Sequence, residues 1–233
     1  MNQALVVVFL GPPGSGKGTQ AKELAGELNG LQHVSTGDLF RNEIARKSEV
    51  GVLVDETIKA GKLVDDEMTY KVLKNQLLSI IEEKAPKCLI FDGYPRNGRQ
   101  VGDLAKLLKE IPSLVGPVFF ELELPKDVIV ERISGRLVNP RLGIVYHKTE
   151  RPPRVPGKCD TDGGELVQRA DDKPEVVGGR FDVYQKGLSE MLLEIKKGGY
   201  PHFSFNGNAS VEQVSKSLKL KLFELCEGLT GQQ

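Results

Sequence analysis

Continuous apolar runs alternate along this chain with stretches whose apolar residues recur every three or four positions. Residues 4–10 (ALVVVFL) are apolar throughout, as expected of a strand covered on both faces. Residues 88–92 (CLIFD) and 117–124 (PVFFELEL) read the same way, and 199–206 (GYPHFSFN) is a weaker version. Between them the helical period predicts elements over 17–28, 37–59 in two pieces, 66–83, 97–109, 125–136, 175–196 and 210–228. Strands alternating with helices imply βαβ units, a parallel sheet and the α/β class.

The rhythm breaks over residues 137–172, which hold Pro140, Pro152, Pro153, Pro156 and a Gly163-Gly164 pair. That is too long for an idle loop in a compact domain. It reads as an inserted small domain, with IVYH (144–147) and ELVQR (165–169) as its short strands.

Composition narrows the class only a little. With 39% hydrophobic and 27% charged residues the chain is an ordinary globular one, and Lys+Arg balance Asp+Glu at 32 each. A whole-surface field for nucleic acid or anionic membrane is therefore not expected, and any anion site must come from local clustering. No apolar run approaches the ~18 residues of a membrane helix. The apolar start has no basic lead-in and runs straight into a glycine-rich loop, so it reads as a strand rather than a signal peptide. Cys88, Cys159 and Cys226 are far apart and odd in number, which argues against a disulfide framework and for a reducing, cytoplasm-like compartment.

The loop is GPPGSGKGT, Gly11 to Thr19. It fits G-x-x-x-x-G-K, with the usual hydroxyl residue displaced by one place to Thr19. Glycines let the backbone approach phosphate oxygens, successive N–H groups form an anion nest at a helix N-terminus, and Lys17 adds a positive charge for the terminal phosphates. An apolar strand precedes the loop and the helix-like AKELAGEL follows it. Asp92 closes the buried CLIFD run, where a carboxylate is costly without a cation partner. It is therefore a candidate to hold Mg²⁺ through water; the bland alternative is a helix-capping aspartate.

Further stretches carry a resemblance. STGDLFR (35–41), GKLVDD (61–66), DGYPRN (92–97) and GKCDTDGGELVQRADD (157–172) resemble, in order and spacing, motifs of the adenylate kinase family. The resemblance implies a P-loop kinase core with a five-stranded parallel sheet flanked by helices, over 1–34, 65–135 and 173–233. It implies an AMP-binding insert at 35–64 and a lid insert at 136–172. The activity implied is reversible, Mg-dependent phosphoryl transfer, ATP + AMP = 2 ADP, with the lid closing over the phosphates, in a cytoplasmic monomer or one of the mitochondrial intermembrane space. Carried over by position, Gly14, Ser15, Gly16, Lys17, Gly18 and Thr19 would hold the ATP phosphates. Arg136, Val145, Tyr146 and Ala209 would contact ATP from the lid and near the base. Thr36, Arg41, Lys62, Leu63, Val64, Gly93, Tyr94, Pro95, Arg96 and Gln100 would form the AMP site. Arg132, Arg169 and Arg180 would clamp the phosphates, and the catalytic set would be Lys17, Asp92, Arg96, Arg132, Arg136, Arg169 and Arg180. On the residues alone, Arg132 and Arg136 lie four apart on an expected helix and would share a face, mutually repelled unless an anion bridges them. Asp171 and Asp172 are expected either to pair with arginines or to cap a helix starting at Pro174.

Departures bear on metal and substrate. The 157–172 run resembles the second half of a zinc-binding lid, but Asn139 and Leu142 stand where the first half needs cysteines. Cys159 and Asp162 alone cannot close a tetrahedral site, so no zinc is expected. Tyr94 stands where phenylalanine is common in the family. Alternatives within the class are a GTP:AMP phosphotransferase, with ATP preferred as donor only on the resemblance, and a UMP/CMP kinase, against which Thr36 and the long lid weigh. Outside it, a nucleotide-sensing module would have little use for Lys17, Asp92 and the clamp arginines together.

Overall fold

The computed structural model describes residues 3–230. Its centre is a five-stranded parallel sheet in the order β2-β3-β1-β4-β7. The strands are β1 (Ala4–Leu10), β2 (Leu31–Ser35), β3 (Cys88–Asp92), β4 (Leu114–Glu123) and β7 (His202–Asn206). Side-chain alternation divides the sheet's contacts between two cores. Val6, Val8 and Leu10 point to one face with Leu89, Phe91 and Phe119. There they meet Leu73 and Leu77 of α4 (Asp66–Lys84), Leu104 and Leu107 of α5 (Gly98–Glu110), and Met191 and Ile195 of α7 (Pro174–Lys197). Leu5, Val7 and Phe9 point to the other with Ile90 and Phe120. There they meet Ala21 and Leu24 of α1 (Lys17–Glu27) and Leu218 and Leu222 of α8 (Val211–Thr230). Each large side chain so covered is worth on the order of 1.5–3 kcal/mol, which is why the central strands carry no polar alternation.

The weakest strand in the sequence lies at an edge. β2 was not among the expected strands because LQHVS interrupts its apolar positions; Leu31 and Val34 are buried, while Gln32, His33 and Ser35 are only partly so. Two extensions leave the sheet's carboxyl end. One carries α2 (Thr36–Ala45), capped by the Ser35 hydroxyl accepting from Asp38 N–H, and α3 (Glu49–Lys59), capped likewise by Ser48. The other follows α6 (Lys126–Gly135) and holds an antiparallel pair, β5 (Arg136–Val138) and β6 (Val145–His147). The expected strand at 165–169 is reduced to single bridges, Val138 with Val167 and Lys158 with Glu165. No helix among the described residues is long and apolar enough to cross a membrane.

Candidate active site

The site sits outside the carboxyl ends of β1 and β3, the crevice where open parallel sheets bind ligands. β1 delivers the loop ending at Gly16, which caps α1 with φ 89°. A positive φ of this size suits glycine and turns the following N–H groups outward at the helix's positive end. Lys17 folds back over the loop, its Nζ donating to Gly11 O at 2.7 Å, Pro12 O at 2.9 Å and Ser15 Oγ at 3.1 Å. Enclosure by protein is the main cause that brings its pKa down to about 8; Asp92 opposes, and Arg96, Arg180 and Arg136 add to the depression. β3 delivers Asp92 beside it. A Cβ on Gly18 would stand 3.1 Å from Asp92 Oδ2, so the bare backbone is what lets loop and carboxylate approach. Enclosure pushes Asp92 upward, but the imidazole of His33, 3.6 Å away, and the Lys17 ammonium outweigh it and hold the carboxyl well below the ordinary range.

Arginines from separate elements converge on the same space. Arg96 donates from Nε to Gly93 O at 2.6 Å, and its backbone N–H donates to Gln100 Oε1 at 2.7 Å. Arg132 donates to Gly207 O at 2.9 Å. Arg41 pairs with Asp38 at 2.6 Å, and Arg169 faces the same carboxylate at 3.9 Å. Arg136 donates to the fully buried Asp172 at 2.7 Å, and Arg180 reaches Asp172 at 3.1 Å and Asp171 at 3.0 Å. Asp171 and Asp172 thus serve arginines; the α7 cap position is Lys173, without a side-chain cap. Arg96 stands open to the water of the cleft yet deep among protein atoms; that enclosure, then Arg180, lowers its pKa to about 10. Enclosure and then Arg41 bring Arg169 to about 10 as well. Both stay charged at neutral pH, so the aspartates leave the cleft a concentrated positive field. Asp38 is held below its ordinary value: enclosure raises it, but Arg41 and Lys22 prevail.

One sequence expectation about these arginines is corrected. Arg132 and Arg136 do not share a helix face, because α6 stops at Gly135 and Arg136 is extended, φ −69° and ψ 133°. They arrive from a helix and from the strand after it.

A cavity of about 290 Å³ is bounded by Gly14 to Thr19, Asp92, Gly93, Pro95 and Arg96 on the sheet side. Arg41, Leu63, Arg132, Arg136, Val145, Tyr146, Arg169, Arg180 and Ala209 line it from the surrounding elements. Other residues named from the sequence lie outside these walls. Thr36 is buried and donates its hydroxyl to Gly93 O at 2.9 Å. Gln100 holds Asp66 at 2.6 Å with its other end. Tyr94 packs in the core among residues such as Leu73 and Leu104. Lys62 is exposed, its N–H donating to Thr57 O, and Val64 is half-buried. Asp38, Lys22 and His33 went unassigned in the sequence. The three-residue spacing of Asp38 and Arg41 was the available signal for the first; nothing in the sequence pairs the others with partners so far along the chain.

At the far end of the 136–172 segment the places discussed for zinc are joined by hydrogen bonds. Asn139 Nδ2 donates to Asp162 Oδ1 at 2.7 Å, and Asn139 Oδ1 accepts from the backbone N–H groups of Arg141 and Leu142. Arg141 grips Asp162 at 2.6 Å, and Cys159 Sγ lies 3.5 Å from the Tyr146 hydroxyl.

A glycine-rich phosphate loop, a strand-end aspartate and arginines converging from both extensions are the parts of a phosphoryl-transfer site, in which positioning and charge neutralisation do most of the work. The class is that of P-loop nucleotide kinases. The family model described as adenylate kinase matches residues 9–198. Adenylate kinases of Thermosipho melanesiensis and Caldanaerobacter subterraneus subsp. tengcongensis are 41% and 38% identical to the chain, over 91% and 93% of it and 96% and 95% of their own lengths. That of an Anaeromyxobacter species is 46% identical over 77% of the chain and 82% of its own length. The chain belongs to the adenylate kinase family.

Proposed function

We propose that the chain catalyses ATP + AMP = 2 ADP, with the phosphate loop holding the donor and the α2–α3 extension the acceptor. The observation that carries this reading is the one cavity onto which Lys17, Arg41, Arg96, Arg132, Arg136, Arg169 and Arg180 all open. An acceptor oxygen of AMP attacks the γ-phosphorus as the bond to the bridging oxygen breaks, and negative charge moves from the γ- to the β-phosphate oxygens. Lys17 reaches both from the loop. Arg132, Arg136, Arg169 and Arg180 neutralise charge from the lid side, and Arg41 and Arg96 orient the acceptor phosphate. Such contacts accelerate the reaction to the extent that they tighten in the transition state.

Asp92 fits Mg²⁺: it is ionised, oxygen-donating and beside the phosphate loop, as a hard cation prefers. Among the described residues no three His, Cys, Asp or Glu gather to cage a metal, so the ion would arrive on the nucleotide phosphates. When bound, it neutralises phosphate charge. Residues 35–64 and 136–172 act as separately moving inserts on a core of 1–34, 65–135 and 173–233, closing to exclude water. The chain works as a monomer in a reducing compartment such as the cytoplasm, in keeping with its unpaired cysteines.

A panel of donors (ATP, GTP) and acceptors (AMP, UMP, CMP), with ADP formation as readout, tests the reading. Highest kcat/KM with ATP and AMP is expected. Preference for GTP or for a pyrimidine acceptor would replace the stated substrates, and binding without turnover would sink the enzyme reading.

A further inference from the structure

Lys22 lies on α1 beyond the phosphate loop and outside the catalytic set. Its Nζ donates to Gly143 O at 2.7 Å, in the turn between β5 and β6. The same Nζ stands 3.4 Å from Asp38 Oδ2 on α2. One ammonium therefore touches both extensions while its own backbone belongs to the sheet's flanking layer. The approach on the lid side is by bare backbone. Gly143 has φ +64°, and a Cβ there would come 2.8 Å from Lys22 Nζ. On the acceptor side the partner is the carboxylate already gripping Arg41 and facing Arg169. The adjacent Glu23 makes a second tie from α1, accepting from Arg151 at 3.1 Å.

The chemistry suits lysine. A carbonyl and a carboxylate are both acceptors, and an ammonium offers three donors on a flexible stem with no acceptor to leave idle. Glutamine could reach one partner but would give no charge to Asp38. The ordinary alternative is a solvated lysine, since the side chain is 37% exposed; but an idle surface lysine has no reason to meet a glycine carbonyl across the chain.

We propose that Lys22 is a positioning residue for phosphoryl transfer, registering the lid turn and the acceptor helix each against α1. The inference rests on the function proposed above. Losing one charge-assisted hydrogen bond and one screened ion pair predicts an effect of about threefold to tenfold. The experiment compares the full wild-type chain with Lys22→Met and Lys22→Arg. It uses initial rates with ATP and AMP both varied, and hydrogen exchange of the nucleotide-free proteins, with melting temperature as the folding control. For Lys22→Met the expected result is a rise of that size in KM for both nucleotides with kcat held, and faster exchange over 139–147 and 36–45 but not 88–92. Lys22→Arg should recover most of it. Unchanged KM values and exchange would overturn the inference, as would a change confined to one extension. Should the wild-type chain form no ADP, the function proposed above fails, and the exchange comparison still decides the role of Lys22.

Discussion

Arg136 Nε donates to Asp172 Oδ2 at 2.7 Å, and this bond joins the first residue of β5 to the turn just before α7. Both ends of the 136–172 segment are thus held by one carboxylate, which Arg180 of α7 also contacts.

Asp172 is fully buried, so removing it takes the carboxylate from half-buried Arg136 and leaves Arg180 with Asp171 alone of its two aspartates. Breaking a buried pair on one side costs about 3–5 kcal/mol. Asp172→Ala should lower unfolding free energy by that order in denaturant titration, and Asp172→Asn by less. A loss under about 0.5 kcal/mol would mean water replaces the carboxylate freely, contrary to its burial.

Lys17→Met should leave the fold intact and reduce kcat by about 10²-fold or more, the scale seen when one preorganised donor is lost. Its ammonium hydrogen-bonds to the loop's own oxygens and neighbours Asp92, so circular dichroism should change little. Near-normal turnover would place the phosphates elsewhere.

The same lysine sets an alkaline limb. With its pKa lowered to about 8 by enclosure, free enzyme loses that charge as pH rises through 8, and kcat/KM, which reports free-enzyme ionisations, should fall there. Bound phosphates favour the charged form, so the limb in kcat should lie at higher pH. For stability the sign is opposite. Between about 8 and the ordinary 10.5 the unfolded chain binds more protons, so this group's contribution to stability increases with pH. A kcat/KM profile flat to pH 10 would contradict the enclosed ammonium.

Most of the sheet was legible because its central strands are covered on both faces and so must be apolar throughout; β1 is buried at every position. β2 was not, because an edge strand beside a site carries His33 toward Asp92 instead of a hydrophobic residue toward a core. The phosphate loop was readable because glycine spacing reports backbone geometry directly. The arginines could be named by position, but not their partners. Arg136 with Asp172 and Arg169 with Asp38 are ion pairs between elements far apart in sequence, and local periodicity says nothing about such pairs. The 165–169 segment pairs only at isolated bridges, since its alternating pattern lacks a neighbour long enough to form a ladder.

Chelation should leave the melting temperature unchanged. Asn139, Asp162, Arg141 and the Cys159–Tyr146 contact link the turns of the 136–172 segment through hydrogen bonds, and metal-dependent domains unfold when stripped. Stoichiometric zinc in metal analysis of untreated protein, or a chelator-induced drop in melting temperature, would reverse this.

Closure of both segments should require both nucleotides. Water is a competing acceptor at about 55 M, so an open arginine set would waste ATP. A bisubstrate mimic joining ATP to AMP should protect amides of both 35–64 and 137–172 from exchange, and either nucleotide alone mainly one of them. Full protection of both segments in the nucleotide-free protein would show the clamp already assembled.

The staple at Arg136 and Asp172 also bears on how this fold tolerates change in length. To the core, an excursion whose two ends meet at one ion pair resembles a short turn, whatever its contour. Loop-closure entropy grows only logarithmically, about 0.6 kcal/mol per doubling. Residues between the two ends can therefore be lengthened, trimmed or exchanged as a cassette at little thermodynamic expense, while a single residue added within β1 would turn every following side chain to the wrong face of the sheet.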